Sequence, residues 1–64
     1  MLKRADQICV GDVIRHNSDE DEIVEAVKVK DSSYLLISTR VAGTQIRASI
    51  YCQDHTKINV VDMG

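Results

Sequence analysis

The chain has 64 residues, enough for one small domain and too few for two domains, a Rossmann or barrel enzyme, or a repeat array. Hydrophobic residues make up 44% of it and proline is absent, so we expect a folded domain rather than a disordered chain. The formal net charge is −2 at pH 7, so there is no overall basic excess to attract nucleic acid.

The N-terminal residues carry a basic pair, Lys3-Arg4, with no apolar segment behind it, so they do not resemble a signal peptide. The run Leu35-Leu36-Ile37 is far shorter than the roughly 20 apolar residues that span a bilayer. Cys9 and Cys52 are too few for a secreted disulfide scaffold, and we expect reduced thiols. These features predict a soluble, cytoplasmic protein that makes no contact with membranes.

Along most of the chain, apolar and polar residues alternate with a period of two, which predicts β-strands. In chain order, residues 1–7 form one helical turn at most, and residues 1–8 pack as a leader on the sheet. The predicted strands are residues 10–16, 22–30, 34–41, 44–52 and 57–61, with a turn at 53–56 that has the length of one 3₁₀ turn.

Hairpin loops at residues 17–20, 31–33 and 42–43 set the strand registers, and a four-residue third loop would keep the same faces. They place opposite one another the pairs Ile14 and Ile23, Val29 and Leu35, and Ile37 and Ala48. The predicted core consists of Ile8, Val10, Ile14, Ile23, Val27, Val29, Leu35, Ile37, Ile46, Ala48, Ile50, Ile58 and Val60.

The opening Val10-Gly11-Asp12-Val13-Ile14 resembles the start of Src-homology-3-like small barrels. Similar openings occur in translation-factor and KOW-type domains, in intein-like domains and in small phage proteins. The resemblance implies one all-β domain over residues 1–64: a five-stranded antiparallel Src-homology-3-like barrel, built as a meander with a short 3₁₀ turn before the last strand. Such barrels bind RNA, DNA, peptides or other subunits, so the fold names no single function. Without Trp or Phe, the chain lacks the aromatic cluster that docks proline-rich peptides.

Three groups of residues were considered for cation binding, zinc binding and nucleophilic catalysis, and each gives only weak support for that chemistry. The acidic run at residues 18–22 lacks the spaced oxygens and the glycine of a calcium loop, and we interpret it as a solvated hairpin tip. Cys52 and His55 have a plausible zinc-ligand spacing, but Cys9 and His16 do not, so we expect no metal site. A barrel of this size has no interior pocket for a Cys–His nucleophile, so we expect no catalytic residue, no cofactor and no enzyme activity.

The candidate site is the outer face of the third and fourth predicted strands, where tyrosine and arginine are interleaved. Its expected binding residues are Tyr34, Leu36, Arg40, Arg47 and Tyr51. An ordinary solvated sheet face with one Tyr–Tyr cross-strand pair explains the same residues equally well.

The first predicted function is a non-enzymatic protein–protein interaction module, either a self-assembling homo-oligomer or an adaptor for another protein. The alternative is nucleic-acid binding, with Lys28, Lys30 and the two arginines on phosphates and the tyrosines stacking on bases, although the net negative charge disfavours it. A small ligand such as a nucleotide, held between subunits, is a further alternative that no residue specifies.

Overall fold

The computed structural model describes residues 1–16 and 19–61, and it shows one antiparallel six-stranded sheet. The strands are β1 (Leu2–Arg4), β2 (Val13–Arg15), β3 (Glu22–Asp31), β4 (Tyr34–Val41), β5 (Arg47–Gln53) and β6 (Lys57–Val60). Their order across the sheet is β1-β6-β2-β3-β4-β5. The all-β class is therefore confirmed. Within the described residues, no helix is long and apolar enough to cross a membrane.

The sheet has six strands instead of five and stays open, because β1 and β5 are its two edges and do not pair with each other. The additional strand, β1, forms in the segment expected to be a helical turn. It pairs with β6, and the amide of Val60 donates to the carbonyl of Met1 at 2.7 Å. The 3₁₀ turn is also displaced: it lies at Ala5–Gln7, whereas residues 53–56 form a turn closed by Thr56 N–H and Gln53 C=O.

One face of the sheet carries the core. Its buried hydrophobic residues are Ala5, Ile8, Ile14, Val24, Leu35, Ile37, Ile58 and Val60, with Val27, Ile50 and Cys52 packed at the margin. Of the segment 1–8, predicted to pack as a leader on the sheet, Ala5 and Ile8 are buried in this core, whereas Leu2 is 63% exposed.

Some predicted core residues are solvent-exposed. Val10, Val29 and Ile46 are 66%, 74% and 63% exposed, and Ala48 is exposed as well. Val29 and Ala48 lie on the core side of their strands, but beyond the part of the sheet that other residues cover. A correct face is therefore not enough for burial near the edge of an open sheet.

A β-bulge in β3 reverses the face of half the strand. The register with β4 shifts between Val24 and Ala26, so Val24 lies opposite Thr39 while Val27 lies opposite Ile37. Strict alternation puts Ile23 inside, but the extra residue at the bulge puts Val24 there instead. Ile23 is half-buried.

The hairpin registers follow the local turn chemistry. The pairing of Val29 with Leu35 is confirmed, whereas Ile14 pairs with Glu22 and Ile37 pairs with Ile50. The third hairpin has the four-residue loop, residues 42–45, that was the alternative to the two-residue loop, and the faces of its strands are preserved. The first predicted loop includes residues 17 and 18, which lie outside the described residues.

The third loop is built around Gly43, whose φ of 78° is favourable for glycine. Thr44 completes this loop by donating its amide and its hydroxyl to the Val41 carbonyl, at 3.1 and 2.9 Å.

Candidate functional site

The outer face is the solvent side of β3, β4 and β5, opposite the core. Because Leu35 and Ile37 are buried, alternation along β4 places their neighbours on the outer face. The register aligns Lys28 of β3 with Leu36 of β4 and Tyr51 of β5. The five predicted binding residues thus share this face: Tyr34, Leu36 and Arg40 are half-buried, and Arg47 and Tyr51 are exposed.

An aromatic and aliphatic cluster occupies one end of the outer face. The Tyr34 and Tyr51 rings stack with centroids 5.2 Å apart and an interplanar angle of 15°. The two tyrosines are diagonal neighbours, because Tyr51 lies opposite Leu36 and Tyr34 lies opposite Gln53. The Tyr–Tyr contact is therefore present, although the directly opposite pairing was wrong.

A hydrogen bond fixes the outer end of this cluster. The Tyr51 hydroxyl donates to Asp31 Oδ2 at 3.1 Å. This bond to the carboxylate raises the pKa of Tyr51 above its ordinary value, and desolvation and the charge of Asp31 act in the same direction. The tyrosine ring is therefore held in one orientation by a stacking contact and a hydrogen bond.

The two arginines occupy the other end of the outer face. Arg40 and Arg47 lie directly opposite each other, where two like charges would repel. Glu25 relieves the repulsion: its carboxylate lies 3.2 Å from Arg40 Nε and 3.5 Å from Arg47 Nε. Arg40 also donates to the Thr44 carbonyl at 3.0 Å.

Glu25 is the residue of this surface that the sequence pattern missed. Strict alternation places it on the core side together with Ile23 and Val27. The β-bulge leaves Glu25 without a register partner and lets its side chain reach the arginines across the outer face. A carboxylate at an apparent core position of a strand was the only signal for the bulge.

Cysteine, histidine and carboxylate side chains are the residues considered above for metal or nucleophilic chemistry. No group of three or more His, Cys, Asp or Glu residues in the described part of the chain is arranged to hold a metal ion. Cys9 is exposed and Cys52 is half-buried, both as free thiols. Burial raises the pKa of the Cys52 thiol, which lowers its thiolate fraction at neutral pH and opposes nucleophilic reactivity.

The acidic run is only partly a solvated tip. Asp19 and Glu20 are exposed, while Asp21 accepts from Arg15 Nε at 2.6 Å. Glu22 is buried on the core side and accepts a hydrogen bond from the Thr39 hydroxyl at 2.6 Å. A shallow depression of about 330 Å³ lies beside this run, and none of the five predicted binding residues lines it.

The outer face ends at a free edge of the sheet. β5 pairs with β4 over seven consecutive residue pairs without a register shift, and no strand of the described chain lies on its other side. Comparison of the chain with models of protein families, with curated proteins and with solved structures finds no match. The outer face and the edge beside it are therefore the features from which a function is inferred.

Proposed function

We propose that this chain is a non-enzymatic protein-interaction module that binds through the outer face of β4 and β5. The observation that carries the proposal is the cluster of Tyr34, Leu36 and Tyr51 on the solvent side of the sheet, bordered by Arg40 and Arg47. The few residues that carry most of the binding energy at protein interfaces are enriched in tryptophan, tyrosine and arginine. An apolar cluster with a charged border is the surface composition that such interfaces use.

The internal contacts of the face favour a protein partner. Stacking with Tyr34 and the hydrogen bond to Asp31 hold Tyr51 in place, so little side-chain entropy is lost when a partner packs against it. The Glu25 carboxylate likewise holds both arginines. We expect the partner to offer an apolar patch to the cluster and hydrogen-bond acceptors to the arginines.

The same contacts disfavour the nucleic-acid alternative. Glu25 partly neutralises the two arginines that would contact phosphates. The tyrosine rings stack on each other, and Asp31 places a carboxylate at the Tyr51 hydroxyl, where a phosphate would be repelled. For the third alternative, a nucleotide bound between subunits, no residue of the outer face indicates a specific ligand.

We also propose kinship with Src-homology-3-like small barrels, with β1 as an addition. In support, β2 to β5 form a meander, and β6 then crosses back to pair with β2. Kinship with that group would be consistent with a binding function and selects no particular partner. The expected cytoplasmic location stays a prediction.

A matched pair of leucine substitutions tests the proposed function. Leu36→Asp places a charge in the centre of the cluster, whereas Leu2→Asp makes the same change at an exposed position on β1, the opposite edge of the sheet. The tagged wild-type protein and both variants are used to purify partners from the native cells, followed by quantitative mass spectrometry. Circular dichroism checks that each variant is folded.

We expect at least one protein to be retained by the wild type and by Leu2→Asp, and to be depleted more than tenfold by Leu36→Asp. Tyr51→Ala should reduce the same protein. Identical sets of retained proteins for the folded wild type and Leu36→Asp would contradict binding through the outer face. Retention of RNA or DNA that Leu36→Asp does not change, but that falls steeply with salt, would support the nucleic-acid alternative instead.

A further inference from the structure

The two edges of the sheet are protected very differently. β1 is three residues long and carries the positive charges of Lys3 and Arg4. Short length and positive charge are two features that keep the edge strands of natural sheets from pairing with other chains. β5 is seven residues long, has the sequence RASIYCQ, and carries one charge, at its first residue. β5 contains no proline and no bulge, and beyond Arg47 at its first residue it has no charge that would prevent another strand from pairing with it.

Backbone groups on the outer side of β5 are available for such pairing. The amide of Val41 donates to the carbonyl of Ile46, and the amide of Asp54 donates to the carbonyl of Ser33, at opposite ends of the β4–β5 ladder. Because hydrogen-bonded pairs alternate along an antiparallel ladder, Ala48, Ile50 and Cys52 also bond to β4. The N–H and C=O groups of Arg47, Ser49 and Tyr51 therefore point away from β4, towards the free edge.

We infer that β5 pairs antiparallel with β5 of a second copy of this chain, about a two-fold axis at Ser49. This inference goes beyond the proposed function, because it concerns the edge of β5 and not the cluster on the outer face. It joins two six-stranded sheets into one continuous sheet. The added hydrogen bonds are made by the Arg47, Ser49 and Tyr51 backbone groups of both copies.

A second copy fits this edge because β5 is complementary to itself in that register. On the outer face, Arg47 lies opposite Tyr51 of the second copy, which suits a cation–π contact. The two Arg47 side chains are offset by four residues along the strand, about 13 Å, so the only charge of β5 does not face its own copy. A two-fold interface requires this kind of reciprocal complementarity.

The core side of β5 is complementary in the same register. Ala48, which is exposed, lies opposite Ile50 of the second copy, and Ile50 is half-buried at the margin of the core. Pairing places Ala48 of each copy beside Ile50 of the other, so the core side of one sheet continues into that of the second. The dimer thus covers residues on the core side that the open sheet of one copy leaves accessible.

Substitutions at Ser49 test the pairing, with the full chain as the sample. Ser49→Lys brings two positive charges together at the two-fold axis, and Ser49→Pro removes an N–H that β4 does not use. Ser49→Ala is the matched control. Sedimentation velocity over a wide concentration range should show dimers for the wild type and Ser49→Ala, and at least tenfold weaker dimerisation for both other variants, with unchanged circular dichroism.

Disulfide trapping gives an independent measurement of the register. With Cys9 and Cys52 replaced by serine, Ser49→Cys should form a disulfide-linked dimer under mild oxidation, because the two Cα atoms across the axis lie about 5.5 Å apart. Ser38→Cys is the matched control, because Ser38 lies on β4, opposite Ser49 within one copy and one strand away from the edge. We expect no comparable cross-link from it.

Several results would overturn the inference. These are a wild type that stays monomeric at every concentration, a dimer that Ser49→Cys does not trap, and a monomer whose β5 edge binds an extended segment of a different protein. Failure of the proposed function is a separate observation, because Leu36 lies on β4, away from the edge. A monomer that loses a retained protein through Leu36→Asp refutes only the dimer, whereas a trapped dimer with no partner sensitive to Leu36→Asp refutes only binding through the cluster.

Discussion

Replacement of Thr39 by valine should lower the free energy of unfolding by more than the removal of a solvent-exposed hydroxyl would. Thr39 is 1% exposed and donates a 2.6 Å hydrogen bond to the Glu22 carboxylate, which is itself 6% exposed. Valine keeps the shape of threonine and removes the donor, so a buried carboxylate loses its partner. A hydrogen bond to a charged group contributes about 1.5–3 kcal/mol to the free energy of unfolding.

The expected loss is large for so small a protein. With about 0.05–0.15 kcal/mol per residue, a chain of 64 residues has a free energy of unfolding of roughly 3–10 kcal/mol. A loss of about 2 kcal/mol lowers the melting temperature by roughly 8–16 °C in a domain of this size. The variant should therefore unfold at clearly lower urea concentration, with an unchanged m-value.

A double-mutant cycle measures the contact itself. Urea unfolding is followed for the wild type, Thr39→Val, Glu22→Leu and the double variant. Because replacing both partners by apolar groups leaves neither unsatisfied, the double variant should be more stable than the sum of the single losses predicts, by about 1 kcal/mol or more. Ser38→Ala, the adjacent change on the outer face, should cost less than about 0.5 kcal/mol.

Two results would refute this reasoning. The first is single losses that add within about 0.5 kcal/mol in the double variant, which would mean that Glu22 and Thr39 do not interact in the folded protein. The second is a Thr39→Val variant as stable as the wild type, which would mean that water reaches the Glu22 carboxylate.

Three further predictions concern the outer face, the thiols and the third loop. Asp31→Ala should lower the pKa of Tyr51 towards its ordinary value of 10.0, as measured by absorbance at alkaline pH. Because the pKa of Tyr51 is higher in the folded than in the unfolded chain, its hydrogen bond to Asp31 stabilises the fold below the unfolded pKa, and this stabilisation is lost as the pH rises through the folded pKa. Iodoacetamide should alkylate the half-buried Cys52, whose pKa is raised, more slowly than the exposed Cys9, and equal rates by mass spectrometry would contradict the structure. Gly43→Ala should cost about 1–2 kcal/mol in urea unfolding because φ is 78° there, and no loss would show that the loop adopts another conformation.

Local sequence patterns were sufficient for the fold class and for most of the outer face. Alternation in residues 34–41 identified β4 with its observed bounds and placed Tyr34, Leu36 and Arg40 on the face opposite Leu35 and Ile37. This succeeded because β4 is paired on both sides and has no irregularity relative to β5, so side chains alternate strictly along it. The two-residue difference in the register of the third hairpin preserved every face, because side chains alternate with a period of two residues.

Alternation failed wherever the backbone departed from it or where burial depended on distant strands. The bulge beside Glu25 replaced Ile23 by Val24 in the core and moved a carboxylate between Arg40 and Arg47. Apart from the carboxylate of Glu25 at an apparent core position, nothing local distinguishes that segment from a regular strand, because the extra residue is accommodated through the pairing with β4.

The tertiary structure alone decided which edges remain free and which apolar residues remain exposed. The first residues of the chain became β1 because β6 offered them an unpaired edge, with the Val60 amide and carbonyl in reach of Met1. Val29 and Ala48 face the core side but lie beyond the residues that cover it. Side-chain direction is a property of the local backbone and can be read from sequence, whereas strand partners and solvent exposure depend on residues far apart in the chain.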